Sequence, residues 1–153
     1  MQKSASPTIS IGMPVYNGQT YIKRAIDSLL LQSFKDFELI ISDNASCDNT
    51  EKICKDYVEK DSRIKYIRQT ENHGPLFNFN FVAKEARGEY FMWAACDDEW
   101  DKDWLKVLLK NFGNDTALSF GHIVNISQDH KIIKNYKYYS YQKNKTLRLL
   151  QFF

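Results

Sequence analysis

Apolar residues alternate with others at Ile9, Ile11, Met13 and Val15, the period of two of a β-strand, and Pro14 near the end of the run indicates that the strand stops there. Asn17 and Gly18 supply a turn. From Tyr21 the period lengthens: Ile22, Ala25, Ile26, Leu29 and Leu30 recur at helical spacing, which predicts an amphipathic helix with Lys23, Arg24 and Asp27 on its wet side. The unit then repeats. Phe37 to Ser42 is a short apolar run suited to a buried strand, and Asp48 with Glu51 three residues on resembles a capping box opening a helix that buries Ile53, Cys54, Tyr57 and Val58. Ile64 to Arg68 reads as a third, weaker strand. Asn72-His73-Gly74-Pro75 is turn chemistry, followed by a helix from Leu76 to Arg87 with Phe77, Phe81 and Val82 inward and Gly88 closing it. Tyr90 to Ala95 is nearly all apolar, as expected of a strand buried on both faces, and about Asp103 to Phe112 a further helix is predicted.

Four strand and helix pairs in alternation predict an α/β doubly wound domain, a mostly parallel sheet with helices on both faces. The pattern changes after Asn114. Ala117 to Ile126 and Lys131 to about Tyr136, joined through Gln128-Asp129-His130, read as an antiparallel hairpin. A Lys- and Tyr-rich stretch then leads to Leu147, Leu149, Leu150, Phe152 and Phe153, a new apolar pattern on which the chain stops. The expected organisation is a disordered tail over residues 1–7, a domain over 8–136, and at 137–153 the start of a truncated further region, with a short C-terminal helix docking on the sheet as the alternative.

At 43% hydrophobic and 26% charged, with 10 Phe, 9 Tyr and 3 Trp, the 153 residues suit a globular chain with a bulky core. A net charge of +2 is too near balance to point to nucleic acid or an anionic membrane as partner. Cys47, Cys54 and Cys96 form an odd set with no CxxC pair, so neither a disulfide framework nor a structural zinc site is expected, and reduced thiols suggest a cytoplasmic setting. The N-terminus has no apolar signal core. The longest apolar run, Tyr90 to Cys96, is far short of the roughly 20 residues that span a bilayer, so no transmembrane segment is expected.

In open α/β sheets ligands bind outside the carboxyl ends of the strands, where strand order reverses. The residues expected there are Pro14 to Asn17, Ser42 to Ser46, Gln69 to Gly74 and Cys96 to Glu99, rich in carboxylates and amides that suit ribose hydroxyls, base edges and a cation. No GxGxxG and no GxxxxGK[ST] is present to cradle phosphates with backbone amides. A nucleotide diphosphate would therefore need another counter-charge, such as a hard divalent cation held through oxygen by adjacent carboxylates. Asp97 and Asp98, directly after an apolar strand, have that placement, although a solvated turn or helix cap uses the same residues. Asp43 with Asn44 equally fits an Asx turn. Cys96 beside the acidic pair reads as a buried, inert thiol rather than a nucleophile.

The combination of segments narrows this. Ile11 to Asn17 (IGMPVYN), Leu29 to Phe34 (LLLQSF), Phe37 to Thr50 (FELIISDNASCDNT), Asn72 to Gly74 (NHG) and Ala86 to Trp100 (ARGEYFMWAACDDEW) together resemble the glycosyltransferase family 2 domain with the GT-A fold, over roughly residues 8 to 112. The resemblance implies a Rossmann-like GT-A domain that binds a nucleotide-diphosphate sugar and transfers the sugar to an acceptor hydroxyl with inversion, in cell-surface polysaccharide or glycoconjugate synthesis. It implies Mg²⁺ or Mn²⁺ as cofactor, a hydroxyl acceptor as second substrate, no nucleic acid partner, and a cytoplasmic location, with peripheral association at the inner face of the membrane.

By resemblance, Pro14, Val15, Tyr16 and Asn17 line the nucleotide pocket, Asp43 matches the first acid of the family's VDDGS segment, Asn44 stands where its second acid usually is, and Asn80 is a further nucleotide-sugar contact. Where many relatives read DADD, this chain reads Ala95-Cys96-Asp97-Asp98. Asp98 is carried over as cation ligand, and Asp97 as a ribose or second metal contact. These two are the residues to which catalysis is assigned, through charge stabilisation on the departing nucleoside diphosphate. No general base for the acceptor is identified, so the chain is expected to be a donor-binding half. A nucleotide-sugar-binding module without transfer is the alternative.

Overall fold

In the computed structural model the described residues are 6–110, 112, 118–119, 121, 123–127, 129 and 131–135. The chain divides into two compact units, 1–110 and 111–153. The first runs β1 (Ile9–Val15), α1 (Ile22–Leu30), β2 (Phe37–Asp43), α2 (Thr50–Val58), β3 (Ile64–Arg68), α3 (Pro75–Glu85), β4 (Tyr90–Trp93) and α4 (Trp104–Lys110). Its four strands are parallel, in the order β3-β2-β1-β4. The chain steps outward from β1 to β3 and then returns to the other side of β1, so strand order reverses between β1 and β4.

The two-residue period of β1 and β2 sorts side chains to opposite faces. Ile9, Ile11, Met13 and Val15 join Phe37, Leu39 and Ile41 in one core with Ile22, Ala25, Ile26 and Leu29 of α1 and Cys54 of α2. Each of the large aliphatic side chains buried there contributes about 1.5 to 3 kcal/mol. On the other face α3 packs through Val82, and Gly12 leaves the room: a Cβ there would lie 2.7 Å from Val82 Cγ2 and 2.8 Å from Phe91 Cζ. Every residue of β1 and β2 is buried, Ser10, Gly12 and Glu38 included.

Four local expectations are corrected. Asp48 accepts from Thr50 N at 2.9 Å from one residue ahead of the cap position, Asn49, which makes no side-chain cap bond, and Glu51 turns to Lys55 and Arg68 instead of closing a capping box. The α3 helix ends at Glu85, followed by an extended Ala86, so Gly88 is no helix cap. It is a point of close approach, where a Cβ would lie 2.5 Å from Ser10 N. Phe77 faces outward at 41% exposure, and the inward positions of α3 are Asn78 and Val82. β4 is half-buried rather than enclosed, with Trp93 at 53%, because it forms the edge of the described sheet.

In the second unit, β5 (Val124–Ile126) and β6 (Ile132–Asn135) form the expected antiparallel hairpin, with an irregularity at Asn125/Ile126. Ser127 closes its turn, donating to Asp129 Oδ1 at 2.5 Å and accepting from Lys131 N at 3.1 Å. Residues 1–5 of the expected tail and all of 137–153 lie outside the described residues.

Candidate functional site

A cavity of 310 Å³ opens at the carboxyl ends of β1 and β2, lined by Pro14, Val15, Tyr16, Asn44, Asn72, Pro75, Asn78 and Phe79. Tyr16 and Phe79 are its half-exposed aromatic members. Its remaining polar walls are amides, and each is locked. Asn78 Nδ2 donates to Ser42 O at 2.9 Å and Val15 O at 3.4 Å, while its Oδ1 accepts from Ser42 Oγ at 2.5 Å. Asn44 Nδ2 donates to Asn72 Oδ1 at 2.7 Å and Gly74 O at 3.1 Å, and its Oδ1 accepts from His73 N at 3.1 Å. Because a carbonyl must accept and an N–H must donate, this network fixes the Asn44 amide in one orientation. A carboxylate at that position has no hydrogen to give Gly74 O, so the asparagine and the Asn72-His73-Gly74 turn are matched to each other.

Asp43 does not line the cavity. It is fully buried, its Oδ2 accepting from Tyr66 OH and Arg68 Nη1, both at 2.7 Å, and its Oδ1 from Ser46 N at 2.8 Å. Burial, then Asp43, pushes the Tyr66 hydroxyl up. Arg68 Nη2 also holds Ser46 O at 2.7 Å, and Ser46 Oγ in turn accepts from Asn17 N at 2.8 Å. Asn17 is pinned in the left-handed region, φ 54°, and its Oδ1 accepts from Cys47 N at 2.9 Å. A chain of bonds thus runs from β3 through Asp43 to the turn that carries Tyr16. Asn80 is exposed on α3 and stands outside the cavity lining.

Asp97 and Asp98 follow β4 in a tight turn and are both exposed, outside the lining of the cavity. Cys96 before them packs near Gly18: a Cβ on that glycine would lie 3.4 Å from its Sγ, which sets the acidic turn beside the β1–α1 turn. Among the described residues neither aspartate forms an ion pair. The Asp98 carboxyl is pushed up by burial and then by the Asp97 charge, although its side chain stays open to solvent. Two hard oxygen donors that repel one another and have no counter-charge paired with them among the described residues fit a divalent cation. Among the described residues no three His, Cys, Asp or Glu side chains converge, so such a cation would rest on this pair and on ligand oxygens. Burial, then Asp97, pushes the Cys96 thiol up to about 11, as expected of an inert thiol.

Asn72 falls within the expected Gln69 to Gly74 strand end, whereas Asn78, Pro75 and Phe79 are not legible as site residues from pattern alone, and neither is Arg68. One signal for Asn78 was available: it precedes Val82 by one helical turn, an amide on the face that meets the sheet.

A parallel sheet reversing between β1 and β4, with a cavity over the strand ends and an acidic pair after the switch-point strand, defines an α/β domain of the Rossmann-like, GT-A kind. The chain belongs to glycosyl transferase family 2, whose family model matches residues 10–152. Over 117 residues it is 34% identical to a GalNAc(5)-diNAcBac-PP-undecaprenol beta-1,3-glucosyltransferase of Campylobacter jejuni, covering 76% of this chain and 38% of that one. It is 36% identical to the putative teichuronic acid biosynthesis glycosyltransferase TuaG of Bacillus subtilis, over 68% of this chain and 41% of that one. Staphylococcus aureus TarS 1-349, solved in complex with UDP, superposes with a TM-score of 0.63 at 30% identity, over 67% of this chain and 31% of that one. The mannosyltransferase PcManGT of Pyrobaculum calidifontis, solved with GDP-Man and Mn²⁺, shares the fold with a TM-score of 0.63 at 23% identity, over 70% of this chain and 32% of that one. This chain thus spans well under half the length of each. No helix among the described residues is long and apolar enough to cross a membrane.

Proposed function

We propose that this chain is the donor-binding part of an inverting glycosyltransferase that takes a nucleotide-diphosphate sugar and passes the sugar to an acceptor hydroxyl, in cell-surface polysaccharide or glycoconjugate synthesis. The observation that carries the reading is the amide- and aromatic-lined cavity at the carboxyl ends of β1 and β2; the Asp97-Asp98 turn follows β4, the parallel neighbour of β1. The UDP complex of TarS supports it. Pro14, Val15, Tyr16 and Asn44, with Asn72, Asn78 and Phe79, receive the uncharged nucleoside portion, and the half-exposed Tyr16 and Phe79 rings offer flat apolar surface to it. Asn17 and Asp43 act at the rim and beneath it by holding the turn. Asn80, exposed on α3, is assigned to the sugar side.

Asp98, with Asp97, would hold Mg²⁺ or Mn²⁺, which supplies Lewis-acid stabilisation of the charge on the leaving diphosphate. The chain's own part is to place the two carboxylates at the β4 end, to position the nucleoside beside them and to exclude water from its apolar face. The free thiols of Cys47, Cys54 and Cys96 support a reducing, cytoplasmic location, with peripheral association at the inner membrane face. Calorimetric titration of the chain with UDP and GDP, with Mn²⁺ or with chelator, tests the reading. Binding of at least one diphosphate that weakens sharply in chelator and in Asp98→Ala is expected. Equal affinity with and without metal overturns the metal assignment, and no binding of either nucleotide overturns the donor site.

A further inference from the structure

Between the end of β4 and the start of α4 lies a stretch with no regular structure, and the acidic pair sits in it. Its upstream end is tied to the sheet, where Ala94 N donates to Gly12 O at 2.9 Å. The downstream end is clasped by positions 24, 28 and 32, a four-residue spacing that follows one face of α1 and continues just past its end. Arg24 pairs with Glu99. Ser28 Oγ accepts from Trp100 N at 3.2 Å while donating to Ala25 O.

Gln32 carries the most of this clasp. Its side chain is fully buried, and every polar atom of it is used: Nε2 donates to Asp101 O at 2.6 Å and to Ser28 O at 3.2 Å, and Oε1 accepts from Leu105 N at 3.0 Å, the start of α4. Ser33 N adds a bond to Lys102 O at 2.7 Å. A buried amide satisfied on both its nitrogen and its oxygen holds a unique geometry, because any shift leaves a desolvated polar atom unpaired. The same α1 helix starts at the turn bearing Tyr16 and Asn17, so it sets the spacing between the cavity rim and the acidic turn.

We infer that Gln32, supported by Ser28, is a positioning residue for the acidic pair: with Arg24 on Glu99 and Ser28 on Trp100, its bonds to Asp101 and Leu105 fix the segment that follows Asp97-Asp98 and so aim the two carboxylates. This rests on the reading that the pair holds a divalent cation. Partners bonded directly to metal-holding side chains typically change metal affinity about 10- to 100-fold when removed, and Gln32, which acts one step further out through the backbone, is expected at the lower end of that range.

Mn²⁺ titration of the full chain, followed by the paramagnetic resonance of free Mn²⁺ and run with Mn²⁺ alone and with UDP or GDP added, tests the inference. Gln32→Met, of similar length and without hydrogen bonds, is expected to weaken Mn²⁺ binding about 10-fold. Ser28→Ala should move it less, in the same direction. Glu38→Gln, which disturbs a buried carboxylate and its exposed Arg87 partner at the other end of the strands, is expected to lower stability and leave Mn²⁺ binding unchanged. Folded Gln32→Met with wild-type Mn²⁺ affinity overturns the inference while the metal reading stands. If Gln32→Met does not fold, Ser28→Ala decides, and wild-type affinity there overturns it too. A wild-type chain that holds no Mn²⁺ under any of these conditions removes the metal reading and the inference together.

Discussion

Arg68 and Asp43 form an ion pair at 2.7 Å in which the carboxylate is fully buried and the guanidinium also grips Ser46 O, 22 residues back along the chain. The pair therefore does two things at once. It neutralises a charge inside the sheet's end, and it sets the loop on which Asn17 and Tyr16 depend.

Asp43→Ala should damage both stability and binding. Removing the acid leaves Arg68, Tyr66 OH and Ser46 N without their shared acceptor; Arg68 keeps Glu51 and solvent, so the cost is that of the stranded donors, about 1 to 3 kcal/mol. Tyr16→Ala, at a half-exposed position, should weaken nucleotide binding with a stability change within about 0.5 kcal/mol. Denaturant unfolding combined with calorimetric titration separates the two; an Asp43→Ala chain of wild-type stability contradicts the role given to the pair.

Ala45 stands in the left-handed region at φ 61°, where a Cβ crowds the following carbonyl. Ala45→Gly removes that crowding and should stabilise the fold by about 1 kcal/mol, net of glycine's greater freedom when unfolded. Urea unfolding would show a higher midpoint with an unchanged slope, and a lower midpoint would mean that the loop gains something from the methyl group.

Glu38 accepts from Ser10 Oγ at 2.6 Å and pairs with Arg87 at 2.5 Å. Burial alone would raise its carboxyl; the hydrogen bonds from Arg87 and Ser10 outweigh that and hold it below its ordinary 4.5. A depressed carboxyl stabilises the fold above its unfolded value and loses that contribution as pH falls through the folded value. Glu38→Gln should thus cost about 2 kcal/mol at pH 7, with the gap to wild type narrowing below pH 4.5. Parallel unfolding curves of the two proteins down the acid range check this, and a gap that widens on acidification rejects it.

Thiol reactivity should divide the three cysteines. Cys47 is exposed, whereas burial pushes Cys54 up to about 12 and Cys96 up to about 11. A maleimide applied to the native chain should label Cys47 first, and the other two should follow only on unfolding. Peptide mass analysis after a short exposure reads the order directly.

The alternation of periods two and 3.6 was enough to place the strands and helices of residues 9–110, since each period records, residue by residue, which side of the backbone must leave water. It also located the strand ends, and with them Tyr16, Asn44 and the Asp97-Asp98 turn. What each polar side chain does there was decided elsewhere. Asp43 turns from the cavity because Arg68 lies 25 residues on, and Gln32 is buried because Leu105 N lies 73 residues on. Phe77 faces out because Gly12 and Val82 set how α3 meets the sheet, and Gly88 serves a close approach to Ser10 that no helix pattern signals. A hydrophobic pattern reports burial, which is a local property of each position; a hydrogen bond or ion pair is a property of two, and its second member is chosen only when the chain has folded.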